Sequence, residues 1–296
     1  MIRFSLPTLL LAAPFVSCAS PPANDPLTDD VAPALPPGES AAESFVLPDV
    51  RVDHVLVSLS PARFEALSEF LAMEFGEPTW NPLPDRGKGF LGTRTNEVYI
   101  EFWDDGGPGI NGPVGNMVAV SGSDTALARR RAQDYYGFEG IDYTELGAPG
   151  LFTVGSEFAA GHPVGGVFYV EYGDGPPRDV GEVGLEALRE VVLALPAHRM
   201  DEADTYRAFG FTERAIDGGG AFTDTNGIDV RLPEVPSADM LGHGPYALRF
   251  GLVDPVDERT EVPIGDESLG LLAVFDGSDL WLVFRPDRFE VPLAAR

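Results

Sequence analysis

Few side chains in this sequence are of a type that does chemistry, and those few lie in strand-like contexts. His54, in Val52-Asp53-His54-Val55, sets an imidazole in an apolar run, where it is either satisfied by backbone or open to ligation and titration. Glu101 in Tyr99-Ile100-Glu101-Phe102 and Glu171 in Phe168-Tyr169-Val170-Glu171-Tyr172 each interrupt an apolar strand. A carboxylate so placed faces solvent by alternation or is buried and paired. Tyr99 and Trp103 share a strand face with Glu101, and Tyr169 shares one with Glu171. These aromatics either line an apolar cleft for a ring-containing ligand or belong to the core. His162, His198 and His243 sit near glycine or proline and read as surface residues.

Several function classes are excluded. No glycine motif stands between a strand and a helix as nucleotide binding needs; Gly106-Gly107 and Gly218-Gly219-Gly220 read as loops between strands. No serine nucleophile elbow is present. With 47 acidic against 20 basic residues, the net charge is −27 and the chain repels a phosphate backbone. The one dense basic run, Arg129-Arg130-Arg131, reads as a solvated helix face, so no nucleic-acid partner is expected. The single cysteine, Cys18, cannot form an intrachain disulfide.

The position of Cys18 supplies a role. Met1-Ile2-Arg3 gives a positive start, and Phe4 to Val16 is a mostly apolar run of secretory type. The segment Phe15-Val16-Ser17-Cys18 resembles a bacterial lipobox, which implies cleavage after residues 1–17, lipidation of Cys18 and a membrane partner through that anchor. Ala19 after the cysteine implies the outer membrane, with the protein at its periplasmic face, if the source is Gram-negative. Residues 18–44, rich in Pro, Ala, Asp and Ser, read as a disordered tether.

From Phe45 the periodicity turns globular, in an α+β pattern. A strand over Val52–Leu59 leads to Ser60-Pro61, a helix start with proline at the first helical position. Phe64, Leu67, Phe70, Leu71 and Phe75 follow at helical spacing. Glu77–Gly87 reads as a loop, and Lys88–Thr93 and Glu97–Trp103 as strands, giving β-α-β-β. Val114–Ser121, a helix over Ser123–Tyr136, and strands Phe152–Phe158 and Gly166–Tyr172 repeat the order. A third unit has a strand over Leu188–Leu195, a helix over Ala197–Phe209, and a hairpin about Thr225-Asn226-Gly227. The fourth has strands near Tyr246–Leu252, Leu269–Phe275 and Leu280–Phe284. In place of a clear helix it has Pro255–Asp266, which reads as at most one turn. The repeat also shows in residues: Val55-Leu56-Val57-Ser58-Leu59-Ser60-Pro61-Ala62-Arg63 compares with Val191-Val192-Leu193-Ala194-Leu195-Pro196-Ala197-His198-Arg199.

Four βαββ-type units in pairs resemble the vicinal oxygen chelate superfamily, which includes glyoxalases, extradiol dioxygenases and bleomycin-resistance proteins. The resemblance implies two paired-module domains, 45–175 and a degenerate 182–290. It further implies a metal set of His54, Glu101 and Glu171, with Tyr99, Trp103 and Tyr169 at the substrate. One imidazole and two carboxylates suit Zn, Fe or Mn and leave positions for substrate oxygens. The fourth ligand position falls on Met117, with Asn116 one residue off, and a thioether is a poor ligand for such ions. In the second half the equivalent positions hold Glu190, Arg231, Ala247 and Val283. They cannot hold a metal, but Glu190 and Arg231 are expected to pair.

Three functions remain open. One is an envelope-anchored protein that binds a small-molecule ligand. The second is a metal-dependent lyase, isomerase or dioxygenase using His54, Glu101 and Glu171. The third is a structural envelope lipoprotein. The sequence names no substrate and no oligomeric state.

Overall fold

The computed structural model describes residues 50–83, 87–95, 98–104, 117–122, 141–142, 151–154, 166–170, 184–193, 195–196, 203, 206–207, 209–216, 219–235, 245–287 and 289–292, some of them by backbone alone. The signal and tether expected over 1–44, the helix expected over 123–136, and Asn116 and Glu171 lie outside these residues. Ser44–Arg296 is one compact unit, and it carries everything described below.

The first half contains β1 (Arg51–Leu59), helix α1 (Pro61–Glu74), β2 (Trp80–Leu83), β3 (Lys88–Gly92), β4 (Tyr99–Asp104), β5 (Met117–Ser121), β6 (Ile141–Asp142), β7 (Leu151–Val154) and β8 (Gly166–Val170). The second contains β9 (Leu185–Leu193), β10 (Leu195–Pro196), β11 (Thr212–Ile216), β12 (Gly219–Thr223), β13 (Asp229–Val235), β14 (Pro245–Leu252), β15 (Thr260–Pro263), β16 (Leu272–Asp276) and β17 (Asp279–Val283). Between β10 and β11, Ala203, Tyr206 and Arg207 are helical, inside the helix the sequence predicts.

Each half is one mixed sheet. The orders are β2-β3-β4-β1-β5-β8-β7-β6 and β11-β12-β13-β9-β14-β17-β16-β15. In each, the leading strands of two modules run antiparallel at the centre: β1 with β5, and β9 with β14. The fold class is therefore the α+β arrangement of paired modules that the repeat implies.

The fourth module departs from the pattern. In the first three, the last strand is parallel to the leading one: β4 to β1, β8 to β5, β13 to β9. In the fourth, β17 is antiparallel to β14. The cause is the missing helix. A leading strand runs up, a helix brings the chain back, and the next strand runs up again. The stretch 253–259 between β14 and β15 holds no helix, so β15 starts down and every later strand of the module is inverted. Only a one-turn 3-10 helix, Glu267–Leu269, interrupts the strands that follow.

Alternation divides each sheet into a core face and an open face. Val55, Val57, Leu59, Ile100 and Phe102 are buried, as are Val191, Val230, Leu248 and Leu282 across from them. Both sets belong to one apolar cluster, bridged by the Phe102 and Phe284 rings at 6.2 Å. Helix α1 adds Leu67, Phe70 and Leu71 to it. Arg63 fastens the helix to the second sheet by donating Nη2 to the Phe284 carbonyl at 2.6 Å.

The halves also hold one another at their turns. The Val52 N–H donates to Asp224 Oδ2 at 2.7 Å, so the β12–β13 turn grips the head of β1. Reciprocally, the N–H of Thr95, after β3, donates to the Glu186 carbonyl at 2.8 Å, and Gly184 N–H donates to Thr79 Oγ1 at 2.8 Å. The head of β9 is thus gripped by the first sheet.

Candidate functional site

The open face of the first sheet collects the side chains that alternate with its core. On β1 these are His54, Leu56 and Ser58. On β4 they are Tyr99, Glu101 and Trp103, and on β3 they are Lys88 and Phe90. Register sets His54 opposite Tyr99 and Leu56 opposite Glu101 on one side, and Glu101 opposite Phe90 and Trp103 opposite Lys88 on the other.

His54 is buried, 5% exposed, and its ring stacks on Tyr99 with centroids 4.7 Å apart and planes at 15°. Its Nδ1 lies 2.6 Å from Asp53 Oδ1. A carboxylate only accepts, so Nδ1 carries the proton in this contact, and Nε2 becomes the acceptor nitrogen of the neutral ring. Adjacent strand residues ordinarily point to opposite faces. Here the pairing of β1 with β5 shifts by one residue between Val52 and His54, leaving Asp53 as the extra residue. Such a bulge re-aims a side chain, and it brings Asp53 beside its own neighbour.

Glu101 accepts from Lys88 Nζ at 3.1 Å, and both side chains are mostly buried. The ammonium sits 4.8 Å from the Phe90 centroid and 4.6 Å from that of Trp103. Two aromatic faces and a carboxylate together form a favourable cation setting. The Trp103 indole Nε1 is buried and has no hydrogen-bond partner among the described residues.

The structure thus brings His54, Tyr99, Glu101 and Trp103 to one face. Tyr169 pairs with Val120, a core residue of β5, while His54 pairs with Ala119, so register sets Tyr169 in the core-facing row and not with His54, where the resemblance implies it. Met117, at the fourth ligand position, opens β5 opposite Leu56.

A divalent metal does not fit the residues described. Among them no three His, Cys, Asp or Glu side chains come together. Glu101, one of the two described ligands, already holds an ammonium, and that positive charge opposes a dication at close range.

Asp53, Lys88 and Phe90 are additions to the site that the sequence reading did not contain. Lys88 carried a signal: it is the sole lysine, every other basic residue being arginine. Phe90 follows from Lys88 by alternation. Nothing in the sequence marks the bulge that recruits Asp53.

On the second sheet, register sets Glu190 where His54 stands and Arg231 where Glu101 stands. Asp229 faces Glu190, and Arg231 faces Val192. The bulge recurs too, with Arg189 as the extra residue of β9 against β14. The expected pair is present, with Arg231 Nη1 3.7 Å from Glu190 Oε1, and a second guanidinium joins it, Arg249 Nη1 at 3.7 Å from Oε2. Arg249 also donates to Asp279 at 2.7 Å, and Arg214 donates to Asp229 at 2.9 Å. Arg189 reaches Asp279 as well, lying where a side chain on Gly251 would meet it at 2.9 Å. Ala247 and Val283 instead belong to a separate apolar cluster with Val192, Tyr246 and Trp281, against which Phe289 and Val291 pack.

Burial pushes the Glu190 carboxyl above the ordinary glutamate range, despite the opposing pull of Arg231 and Arg249. A raised folded-state value means that the folded protein holds this proton more tightly than the unfolded chain. This contribution to stability is present below the unfolded value and is lost as pH rises through the folded one. Glu190→Gln is therefore expected to remove a pH-dependent loss of stability above the ordinary glutamate range. Urea midpoints across that window check it, and parallel curves for the two proteins would refute it.

No protein-family model and no curated protein matches the sequence. Solved structures with some likeness include a xylose isomerase-like TIM barrel/4-hydroxyphenylpyruvate dioxygenase fusion protein, at 16% identity and TM-score 0.46 over 69% of this chain and 36% of that one. A mutant 4-hydroxymandelate synthase from Streptomyces coelicolor is 17% identical, with TM-score 0.41 and 62% of each chain covered. A catechol 2,3-dioxygenase is 13% identical, with TM-score 0.38 over 82% of this chain and 91% of that one. The chain thus spans less than two thirds of the first two. The fold assignment rests on strand order and register, which stand without these likenesses.

Proposed function

We propose that this is an envelope-anchored small-molecule-binding protein whose ligand lies on the open face of the first sheet. The observation that carries the reading is the setting of Lys88. The sole lysine of a strongly acidic chain is mostly buried, lies between Phe90 and Trp103, and is paired with Glu101. A lysine kept only for solubility would sit in water. The flanking rings suit a planar or apolar ligand body. Lys88 and the Asp53-supported His54 suit a polar substituent, and the buried indole N–H of Trp103 awaits an acceptor. The anchor rests on the lipobox-like segment ending at Cys18 and on the low-complexity stretch after it, which supports a place at the periplasmic face of an outer membrane.

The test uses tryptophan emission of the full chain titrated with phenol, a neutral ring with one hydroxyl. Saturable change is expected, lost in Trp103→Phe and weakened about tenfold in Lys88→Met, as for a charge-assisted hydrogen bond. Persistence of the full change in Trp103→Phe, or equal affinity in Lys88→Met, would overturn the reading. So would a stoichiometric divalent metal that disappears in Glu101→Ala.

A further inference from the structure

The polar network on the second sheet has an imbalance that its internal pairing does not resolve. Among the described residues, Arg189, Arg214, Arg231 and Arg249 meet three carboxylates, those of Glu190, Asp229 and Asp279. This local excess of positive charge lies in a chain whose net charge is −27. The hydrogen bonds are fewer than the charges suggest. A guanidinium offers five N–H donors. Among the described residues, Arg231 makes no hydrogen bond, and its one ion-pair contact, to Glu190, is at 3.7 Å. Arg249 spends one donor on Asp279, and its other contact is also at 3.7 Å. The Nε atoms of both arginines are buried without a partner among the described residues. Glu190, with 12% of its side chain exposed, accepts no hydrogen bond from a described residue.

A half-satisfied buried network costs stability, and such a network in a folded protein calls for a partner. Donors are in surplus here, so the missing partner is an acceptor. The network stays within reach of solvent, since the side chains of Arg231 and Arg249 are 28% and 34% exposed. On the adjacent apolar part of the same face, Phe289 and Val291 pack against the cluster of Val192, Tyr246 and Trp281.

We propose that Arg231 and Arg249 form a binding site for a small oxyanion, a carboxylate or a phosphate group. The planar fork of each guanidinium matches two oxygens of such a group. Asp279 holds the Arg249 fork in place from within, and Arg214 at the rim adds to the attractive potential. The site is separate from the one on the first sheet and does not depend on it.

Calorimetric titration of the full chain with acetate and with inorganic phosphate, at constant chloride, tests the proposal and separates the two sources. Saturable binding of at least one is expected, weakened about tenfold in Arg231→Gln, as for loss of a charge-assisted contact. The control is Arg259→Gln, a guanidinium paired with Glu261 on β15, and it is expected to bind as the parent does. Glu190→Gln removes the competing negative charge without removing a donor, and binding is expected to tighten about threefold or more. This variant keeps the test decisive if Arg231→Gln fails to fold. Absence of saturable binding by both anions, an unchanged affinity in Arg231→Gln, or weaker binding in Glu190→Gln would overturn the proposal.

Discussion

Replacing Trp80 with alanine is expected to lower the unfolding free energy by roughly 4 kcal/mol, the upper part of the range for a large buried aromatic. Trp80 is 1% exposed and is the largest of the fully buried side chains among the described residues. It lies edge-on to Phe102 at 6.0 Å, on the core face beneath the candidate site. The ring lies over Gly89, where an added Cβ would come within 2.1 Å of it. The pocket is thus defined from both sides: the indole fills it, and the absent side chain makes room. Gly89→Ala is accordingly expected to cost about 1–3 kcal/mol through overpacking. The indole Nε1 is buried without a partner among the described residues, so Trp80→Phe removes an unsatisfied donor along with volume and should cost clearly less than Trp80→Ala. Equilibrium urea unfolding of the three variants checks the order. A Trp80→Phe variant as unstable as Trp80→Ala would show that the unsatisfied donor carries no cost.

The second large effect is expected at Asp224. This carboxylate is 7% exposed and sits in the β12–β13 turn. Oδ2 accepts from Val52 N–H, and Oδ1 accepts from Asn226 and Ile228 N–H. Burial nevertheless pushes its pKa up, the three N–H donors opposing that shift only in part. Asp224→Ala leaves three backbone donors without their acceptor. The expected loss is on the order of 3 kcal/mol, less than three full charged hydrogen bonds because the desolvation cost of the carboxylate disappears too. Asp224→Asn is the sharper test. Both oxygens are in use, so whichever way the amide turns, its NH2 faces a backbone donor. About 1–3 kcal/mol is expected from that mismatch. A stable Asp224→Asn variant, with an unchanged denaturant midpoint, would mean that the turn does not need both oxygens.

Much of this fold was legible, and the failures share a cause. Central strands such as β1, β4, β9 and β14 carry long β-branched and apolar runs, and the sequence predicts each of them. The strands it passes over are β2, β6, β11 and β15, and these are the outermost strands of the four modules. An edge strand packs on one side only and needs little apolar patterning. The burial of β11 and β15 shows it, since nearly every residue is exposed or half-buried. Proline also conceals β2, where Pro82 lies within the strand. The stretch Pro255–Asp266, read as at most one turn of helix, holds no helix and contains β15, and the consequence, an inverted module, follows from chain direction rather than from any residue.

The candidate site was legible to the extent that alternation holds. His54, Tyr99, Glu101 and Trp103 share a face because they are spaced by two and paired in register. The Glu190–Arg231 pair was readable by carrying the ligand positions that the resemblance implies onto the second half. What alternation could not yield were the two bulges. They turn Asp53 and Arg189 toward neighbours that a regular strand would hold apart. Their recurrence at matching places in β1 and β9 makes them a property of the repeated unit. Only the side chains placed on the bulge differ between the halves: an acid beside an imidazole in one, a guanidinium beside an acid in the other.

The crossed grips at the strand heads bear on how such a repeated unit can exist at all. Each half both offers a corner and inserts a strand end, so one half alone has a vacant socket and an unhoused plug of complementary kind. That is the geometry of an isologous pair, satisfied by any second copy related by a twofold axis. Joining the copies in one polypeptide frees them to diverge in everything except the fittings. A change at a fitting in either half must then be tolerated by the other, whereas the two exposed faces are released to acquire unrelated ligands.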